Sequence, residues 1–511
     1  MYGMPRDMPS MPNVASDAPV GSSPWWIDRL SKVLDNRAAP MRKYEEYYRG
    51  KHPMLYAGSK YRAAFGNLFS GFADNFCCLV VDAVEQRLDI EGFRMGSDES
   101  LKADADAWRI WQSNNLDARS QIAHTEALVK GETSVLIWVD PDDSDQVQIT
   151  VQDALQMAIG YDRATGQRLA ALKRFVQDDG STWFTLYLPD RIEKYQTLPK
   201  GASNAMLKFG RYALEQRQTP GENWPLPNPI GVVPVVPLLN LPHFDGTGTS
   251  EIASVIPLQN ALNKLFLDML VASEYAAFRQ RWATGLELEI DEDTGKPKNP
   301  FQANAGSIWT VEEAATKFGE FDVTDLENYV KAIETTIQHI ATITSTPPHY
   351  LLGSSGAFPS GESLTATETG LVEKAKRKQR YLGEGWEEVI RVAFKVLDDP
   401  KGDIMDSETI WRDPESKNEG VHIDALVKLG SLGVPEEMLW EMAGLTPQQI
   451  ERAKAIIAKE PPELVPAITA IGTAAPPAVA GTAPLPPAAG GGANGAPIPA
   501  MTGAPAAKEA A

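Results

Sequence analysis

The sequence has very little cysteine: among its 511 residues only Cys77 and Cys78 are present, and they are adjacent. Adjacent residues do not easily close an ordinary disulfide, and two thiols cannot complete a four-ligand zinc site. Both lie in an apolar stretch with helical spacing, where free cysteines are commonly buried as small hydrophobic side chains. We therefore expect neither a disulfide nor a metal site at these residues.

Catalytic motifs are also missing. The chain lacks the Gly-x-x-x-x-Gly-Lys-Ser/Thr loop of NTP hydrolases and the Gly-x-Ser-x-Gly elbow of serine hydrolases. Its six histidines are scattered, and none forms a His-x-x-x-His or His-Glu-x-x-His pair. The acidic run Asp140–Asp145 lacks the glycine and the glutamate of a calcium loop, so a hairpin turn explains it better. The sequence predicts a protein that is not an enzyme, with no catalytic residues, no metal and no cofactor.

A surplus of basic residues is absent as well. Lys and Arg number 48 against 68 Asp and Glu, which gives a net charge of −20. Proteins that grip nucleic acid are usually basic, because neutralising phosphates dominates their affinity. No apolar run approaches the roughly 20 residues of a membrane helix, and residues 1–20 lack the pattern of a secretory signal. We expect cytoplasmic synthesis, no membrane contact and no tight DNA binding.

Periodicity in the N-terminal half predicts helices followed by strands. Ser23-Pro24 before Trp25 and Trp26 marks a helix start with proline in its first turn. Apolar residues at helical spacing predict a buried helix over 71–87 and further helices over 101–111 and 116–130. Alternating apolar residues then predict five strands, at 134–139, 146–152, 170–176, 183–188 and 191–195. Helices followed by mostly antiparallel strands indicate the α+β class.

The segment from Ser250 to Thr344 predicts two long helices joined by a hairpin. Apolar residues from Leu258 to Ala276 repeat every three or four positions, which predicts one helix over 250–281 with a length of about 48 Å. Alternation over 286–290 and 306–311 predicts two strands of a hairpin.

A second helix should begin at Thr324, because Thr324 and Glu327 match a capping box. Its apolar stripe is Leu326, Val330, Ile333, Ile337 and Ile340, and Pro347 should stop it. Two long helices with apolar stripes around a hairpin suit side-by-side packing of subunits in an assembly.

A Gly- and Ser-rich loop over 353–361 precedes a third long helix, predicted over 363–397. That helix carries a basic cluster: Lys374, Lys376, Arg377, Lys378 and Arg380. Two interpretations stay open, namely contact with a phosphate backbone or with acidic groups of a neighbouring subunit, and a solvated helix face. Three short helices are predicted over 420–430, 435–444 and 446–459. From Glu460 onward the chain is rich in Pro, Ala and Gly with almost no charge, a composition that predicts disorder.

Several segments in a fixed order carry a family resemblance. They are Tyr47-Tyr48-Arg-Gly-Lys-His-Pro53, Ala64-Phe-Gly-Asn-Leu-Phe69, Phe72-Ala-Asp-Asn-Phe76, Val80-Val81-Asp82 before Arg87-Leu-Asp-Ile-Glu-Gly-Phe93, Ser345-Thr-Pro-Pro-His-Tyr-Leu-Leu-Gly353, Ser360-Gly-Glu-Ser363 and Glu373-Lys-Ala-Lys-Arg-Lys-Gln-Arg380. From about residue 25 to 459 the chain resembles the portal proteins of tailed double-stranded DNA bacteriophages. The similar type belongs to phages with long non-contractile tails and Gram-positive or actinobacterial hosts. No single motif is chemically diagnostic, and the order of segments is more specific than any one of them.

The resemblance implies a phage portal fold with named parts. It implies a flexible arm over 1–22, a wing over 23–249, a stem helix over 250–281, a β-containing clip over 282–323, a second stem helix over 324–345, a tunnel loop over 346–363, a long wing helix over 364–414, a helical crown over 415–459 and a disordered tail over 460–511. Such subunits form rings, usually of twelve, at one capsid vertex. The ring is the channel for DNA packaging and ejection.

The resemblance also implies partners and sites. The tunnel loop would face the DNA channel through Ser354, Ser355, Gly356, Ala357, Phe358, Pro359 and Ser360. The clip would dock the large terminase and the head–tail adaptor through Asp291, Glu292, Asp293, Lys296 and Lys298. Other expected partners are copies of the chain itself, the major capsid and scaffolding proteins, and double-stranded DNA that passes without tight binding. The expected location is the virion.

Two alternatives remain beside the portal interpretation. One is another structural head–tail connector or capsid-associated protein, which would not need two helices around a hairpin followed by a Gly-rich loop. The other is a metal-dependent nuclease, which would need clustered carboxylates for its metal ions. The acidic turns of this sequence lie at predicted hairpin tips instead.

Overall fold

A computed structural model of the chain describes residues 18–53, 74–96, 103–141, 143, 145–197, 207–209, 212–219, 221–277, 281–285, 290, 295, 316–321, 325–352, 361–415 and 419–459. By its internal contacts the chain separates into two units, 1–454 and 455–511. Of the second unit, the structure describes 455–459, the end of the last helix and the turn after it. Helices and antiparallel strands share the described part, which confirms the α+β class.

Helices dominate the described part of the first 130 residues, as predicted. They are α1 (Ser23–Tyr48), α2 (Phe76–Glu85), α3 (Ala105–Ser113) and α4 (Leu116–Lys130), with the strand β1 (Ile90–Met95) between α2 and α3. Pro24 lies in the first turn of α1, where its missing N–H costs no hydrogen bond. Helix α4 ends at Gly131, which takes the left-handed conformation that glycine adopts without strain.

Two antiparallel sheets follow. Their strands are β2 (Glu132–Val139), β3 (Val147–Gln152), β4 (Met157–Tyr161), β5 (Arg168–Val176), β6 (Thr182–Tyr187), β7 (Arg191–Thr197), β8 (Leu207–Phe209), β9 (Tyr212–Gln216), β10 (Leu226–Pro227) and β11 (Val235–Leu239). The larger sheet has the order β4-β5-β6-β7-β9-β8, with β10 beside β7, and the smaller has the order β11-β2-β3. All five predicted strands are present. The prediction missed β4, β8, β9, β10 and β11. Strand β11 contains Pro237, which is tolerated because β11 is an edge strand.

Helix α1 packs on the larger sheet at a glycine. A Cβ atom at Gly160 in β4 would overlap the ring of Trp26. The indole of Trp26 is buried there with Ile27, Leu30 and Leu34 of the same helix. Burying each such side chain stabilises the fold by about 1.5–3 kcal/mol, so this contact joins the first helix firmly to the sheet.

The segment that the sequence predicted as helix–hairpin–helix contains α5 (Ile256–Ala277), the paired strands β12 (Arg281–Thr284) and β13 (Lys317–Glu320), and α6 (Glu327–Thr344). Helix α5 has 22 residues, about 33 Å, so the predicted start at Ser250 and the length of about 48 Å are wrong. Pro257 explains the later start, because proline belongs in the first turn of a helix. The predicted strands over 286–290 and 306–311 lie outside the described residues except for Ile290.

Helix α6 begins at Glu327, three residues after the predicted start. The carboxylate of Asp325 accepts a hydrogen bond from the Glu327 N–H at 2.9 Å, while Thr324 lies outside the described residues. Within the predicted stripe, Ile333, Ile337 and Ile340 are buried, whereas Val330 is exposed. The buried stripe is therefore shorter than predicted and belongs to the C-terminal part of α6.

A short helix, α7 (Pro348–Leu351), precedes the long helix α8 (Gly361–Val396) of 36 residues. Helix α8 is unbroken through Gly383 and Gly385. A Cβ atom at Gly385 would overlap Leu238 of β11, so the glycine allows helix and strand to approach closely. After α8 a 3₁₀ turn (Pro400–Asp403) leads to strand β14 (Ser407–Trp411), which pairs with β1.

The last helices are α9 (Glu419–Ser431), α10 (Glu436–Met442) and α11 (Pro447–Ile457), and they match the three short helices predicted. Helix α11 starts with a capping box, which the pattern Thr446-Pro-Gln-Gln449 predicts and the structure confirms. The Thr446 N–H donates to Gln449 Oε1 at 2.9 Å, and the Gln449 N–H donates to Thr446 Oγ1 at 3.3 Å.

Candidate functional site

The base of α5 is fixed to the N-terminal helices by buried hydrogen bonds. The Tyr47 hydroxyl donates to Asn260 Oδ1 at 2.8 Å. Gln259 accepts from the Phe76 N–H at 2.9 Å and donates to the Asp74 carbonyl at 2.7 Å. Buried polar groups are costly unless paired, so these bonds specify where α5 leaves the body of the subunit.

Helices α5 and α6 pack on each other, and their surfaces differ. Helix α6 has one buried face, made by Ile333, Ile337, Ile340, Ala341 and Thr344, and an exposed polar face. Between Asn263 and Ala272, by contrast, the side chains of α5 are half-buried on every side except for the buried Leu267. Seven of the ten residues from Asn263 to Ala272 are apolar. They cover most of the circumference of α5, as is typical of a helix surrounded by other elements.

A polar cluster fixes the turn after α6 to the start of α8. The Arg87 guanidinium donates to the Tyr350 hydroxyl at 2.9 Å, and that hydroxyl donates to Glu368 Oε1 at 2.8 Å. Arg87 also lies 3.6 Å from Glu368 Oε2. Tyr350 precedes and Glu368 follows segment 353–360, so both sides of that segment are held to the same arginine.

Two residues of the predicted basic cluster turn inward. The Lys374 ammonium lies 2.7 Å from Glu251 Oε2, and the Lys378 ammonium contacts Glu251 Oε1. Lys374 also donates to the Thr344 carbonyl, the last of α6, at 2.8 Å. Only 1% of the Lys378 side chain is exposed. In this conformation both lysines bind their own subunit, so contact with DNA is not available to Lys378.

Charge balance in this cluster shifts two pKa values. Burial raises the pKa of the Glu251 carboxyl, but the two ammoniums outweigh burial and hold that pKa at about 2. Burial lowers the pKa of Lys378 to about 8, although Glu251 opposes the shift. The carboxylate is therefore ionised at neutral pH and is shared by two cations.

The other residues of the basic cluster point outward. Lys376 lies 3.3 Å from Glu373 on the same helix, and Arg377 and Arg380 are exposed. For these three residues, contact with DNA or with a neighbouring subunit stays a prediction. Spacing was the missed signal: Lys374 and Lys378 are four residues apart and share one helix face, which pointed to a common partner. Glu251, Arg87 and Glu368 were missed because their partners are distant in sequence.

The predicted tunnel-loop residues 354–360 and the predicted clip residues 291–293, 296 and 298 lie outside the described residues. The structure describes what flanks them. Strands β12 and β13 pair over four residues each, from Arg281–Glu320 to Thr284–Lys317. Helix α7 and the start of α8 flank the loop. These assignments stay predictions.

Residue types that often act in catalysis are present, but their surroundings do not activate them. Burial raises the pKa of Cys77 and Cys78 to about 12, so both thiols stay protonated. His124 is fully buried and accepts a hydrogen bond from the Trp386 indole at 2.8 Å. Within the described ranges, no three His, Cys, Asp or Glu side chains are placed to share a metal ion. No helix of that part of the chain is long and apolar enough to span a membrane.

Comparison with known proteins gives a consistent set of similarities. The family model described as "Phage portal protein, SPP1 Gp6-like" matches residues 27–463. The portal proteins of Mycobacterium phage D29 and Mycobacterium phage L5 are each 29% identical over 377 residues, which cover 70% of this chain and 73% of the relative.

Chains in two solved structures of gene transfer agent particles are among the structural matches. A chain of the native virion is 14% identical, with 75% of this chain and 92% of that chain covered and a TM-score of 0.41. A chain of the neck of the empty particle is 12% identical, with 76% and 95% covered and a TM-score of 0.43.

Proposed function

The chain belongs to the SPP1 Gp6-like family of phage portal proteins, and we propose that its copies form the ring at one capsid vertex through which DNA is packaged and ejected. The observation that carries this proposal is the family match over residues 27–463, which includes all the described strands, helices α2 to α11 and all but the first four residues of α1. The family is structural, and the function follows from the shape of the assembly.

The proposed parts of the subunit follow the helices and strands. We assign the wing to 23–249 and to the long helix within 364–414, the stem to 250–281 and 324–345, and the crown to 415–459. The clip is then 282–323 and the tunnel loop 346–363. The packing of α5 on α6, with β12 and β13 at their far ends, supports a two-helix stem that ends in a clip.

The charge of the chain suits a channel that DNA must pass in both directions. A net charge of −20 gives little tendency to neutralise phosphates. Tight binding would slow translocation, so weak contacts from exposed cations such as Arg377 and Arg380 are the most that this function requires.

Docking partners belong to the same proposal. The clip, with Asp291, Glu292, Asp293, Lys296 and Lys298, would bind the large terminase during packaging and the head–tail adaptor afterwards. The major capsid and scaffolding proteins would contact the wing during assembly in the host cytoplasm. The finished ring, of twelve subunits in this proposal, would remain in the virion.

Electron microscopy of the purified protein in negative stain tests the ring directly. We expect particles with a central hole, and native mass spectrometry should give their subunit number. A protein that stays monomeric at high concentration and cleaves DNA in a metal-dependent way would overturn the proposal in favour of the nuclease alternative.

Deleting 282–323 and joining the two stem helices by a short Gly-Ser linker tests the clip. The ring should still form, because α5 and α6 retain their mutual contact, whereas DNA packaging in a complementation assay should fail. Normal packaging by this deletion would refute the clip assignment.

A further inference from the structure

We propose that Glu251, Lys374 and Lys378 form a positioning cluster that fixes the direction of both stem helices relative to α8. The proposal rests on the proposed function, since its consequence concerns DNA passage. It replaces the interpretation of Lys374 and Lys378 as DNA contacts by a different role for the same residues.

The cluster joins three elements within a few ångströms. Glu251 lies five residues before α5, and its own N–H donates to the Leu128 carbonyl of α4 at 2.9 Å. Thr344 is the last residue of α6, and its carbonyl accepts from Lys374 at 2.8 Å. Lys374 and Lys378 stand one turn apart on α8. One carboxylate and two ammoniums therefore connect the roots of both proposed stem helices to the same helix face.

The surroundings of Glu251 make this connection rigid. The Asn240 amide donates to Glu251 Oε1 at 3.3 Å and to the Thr249 carbonyl at 2.6 Å. The Ser250 hydroxyl donates to the Val129 carbonyl. A Cβ atom at Gly248 would overlap the Gly131 carbonyl, so the two backbones touch and no larger residue fits. Glu251 cannot move without displacing α4 and the end of β11.

The charges and hydrogen bonds of the cluster indicate that it fixes the orientation of the helices and does more than stabilise the fold. Two ammoniums face one carboxylate, so the group carries an excess positive charge. The C-terminal end of α6 offsets part of it, because the helix dipole places about half a negative charge there. Buried ion pairs are often replaceable by apolar side chains without loss of stability. What apolar side chains cannot replace is the fixed geometry of the hydrogen bonds to Glu251 and to the Thr344 carbonyl.

The consequence for function follows from where these elements lead. Helices α5 and α6 carry the proposed clip, and α8 begins at Gly361, at the C-terminal end of the proposed tunnel loop. A fixed angle at the cluster therefore sets the clip and the loop relative to each other. Loss of that angle should disturb DNA passage while the subunit remains folded.

Lys374→Met is the decisive variant. It removes the bond to the Thr344 carbonyl and leaves Glu251 paired with Lys378, so the subunit should still fold. The ring should form with a melting temperature lowered by only a few degrees, because one buried carbonyl loses its partner, whereas packaged DNA per particle should fall by about tenfold, the size of a typical coupling effect. Lys376→Met, on the exposed side of the same helix turn, is the matched control and should package normally.

The triple variant Glu251→Met, Lys374→Met and Lys378→Met separates the effect on the orientation of the stem helices from the effect on stability. It should keep its melting temperature and still package poorly. Packaging at the wild-type level by Lys374→Met or by the triple variant would overturn the proposal. If the wild-type protein itself formed no ring, the proposed function would fail instead, and the two failures are thus distinguishable.

Discussion

Helix α8 and the helices α9–α11 differ sharply in how they are held. Helix α8 buries apolar side chains along most of its length, and Trp386, Val389, Ile390 and Ala393 have no exposed surface. Among the described residues of α9–α11, by contrast, only two apolar side chains are buried, Leu426 and Ile450. Large apolar side chains there are exposed instead: Ile423, Val427, Leu432, Met438 and Met442.

The difference shows that α8 is covered by other elements of the same chain, whereas the described residues of α9–α11 are not. Helix α8 is surrounded by elements from across the sequence, including β2, β11 and β14, so its stability is supplied within the chain. The C-terminal helices contact the body through limited bonds, such as Arg94 to Glu441 at 3.4 Å. Substitutions should therefore have large effects on folding in α8 and small effects in α9–α11.

The largest expected effect is that of Trp386→Ala. Its ring is fully buried against Trp111, with ring centroids 5.0 Å apart, and its indole N–H donates to His124. Removing it should lower the free energy of unfolding by about 3–5 kcal/mol. Trp440→Ala in the half-buried middle of α10 is the matched control, with an expected loss of about 1 kcal/mol. Denaturant unfolding followed by far-UV circular dichroism measures both, and equal losses would contradict the comparison.

Glu251→Gln should come next. It leaves the ammoniums of Lys374 and Lys378 buried without a carboxylate, which should cost about 3 kcal/mol. The control is Glu437→Gln in α10, whose exposed carboxylate lies 3.0 Å from Lys454 and should contribute less than about 1 kcal/mol. Thermal unfolding of the two variants side by side is sufficient. A loss for Glu251→Gln no greater than for Glu437→Gln would mean that the buried cluster relaxes and admits water.

Much of the local structure could be predicted from the sequence, because it depends on short-range rules. The capping box of Thr446 and Gln449, Pro24 in the first turn of α1 and the alternation of the strands are all local signals. Such rules cannot predict which distant segments pair with each other. Strand β1 pairs with β14 across more than 300 residues, with Phe93 opposite Thr409, and neither strand was predicted.

The candidate site was harder to predict than the fold. A run of five cations suggests an exposed surface, yet the helix turns two of them toward Glu251, and Lys378 is 127 residues from that carboxylate in the chain. Helical periodicity alone places Lys374 and Lys378 on one face, but only the position of Glu251 decides that this face is buried. The roles of residues in the clip and tunnel loop came from the resemblance, and those residues lie outside the described ranges.

A smaller effect is expected from pH, through His124 beside Trp386. Burial lowers the pKa of His124 to about 3. The imidazole therefore binds a proton near pH 6.5 in the unfolded state but stays neutral in the folded state. The free energy of unfolding consequently falls as the pH falls below 6.5. From pH 6.5 to 5 the loss should be about 2 kcal/mol. His124→Gln should remove this part of the pH dependence, since Gln does not titrate; an unchanged slope would show that His124 is not its source.

Leu432→Ser should have the smallest effect, although it removes a larger apolar side chain than many core substitutions do. Leu432 follows α9 and keeps 80% of its surface exposed, so serine there loses almost no burial and the free energy of unfolding should change by no more than about 0.5 kcal/mol. Leu382→Ser in α8, where the side chain is buried, should instead cost nearly as much as Trp386→Ala. Measuring the subunit at low concentration and the assembled protein at high concentration sharpens the comparison. A large loss that appears only in the assembled protein would mean that a neighbouring copy covers Leu432, and a large loss at both concentrations would mean that the C-terminal helices have a core of their own after all.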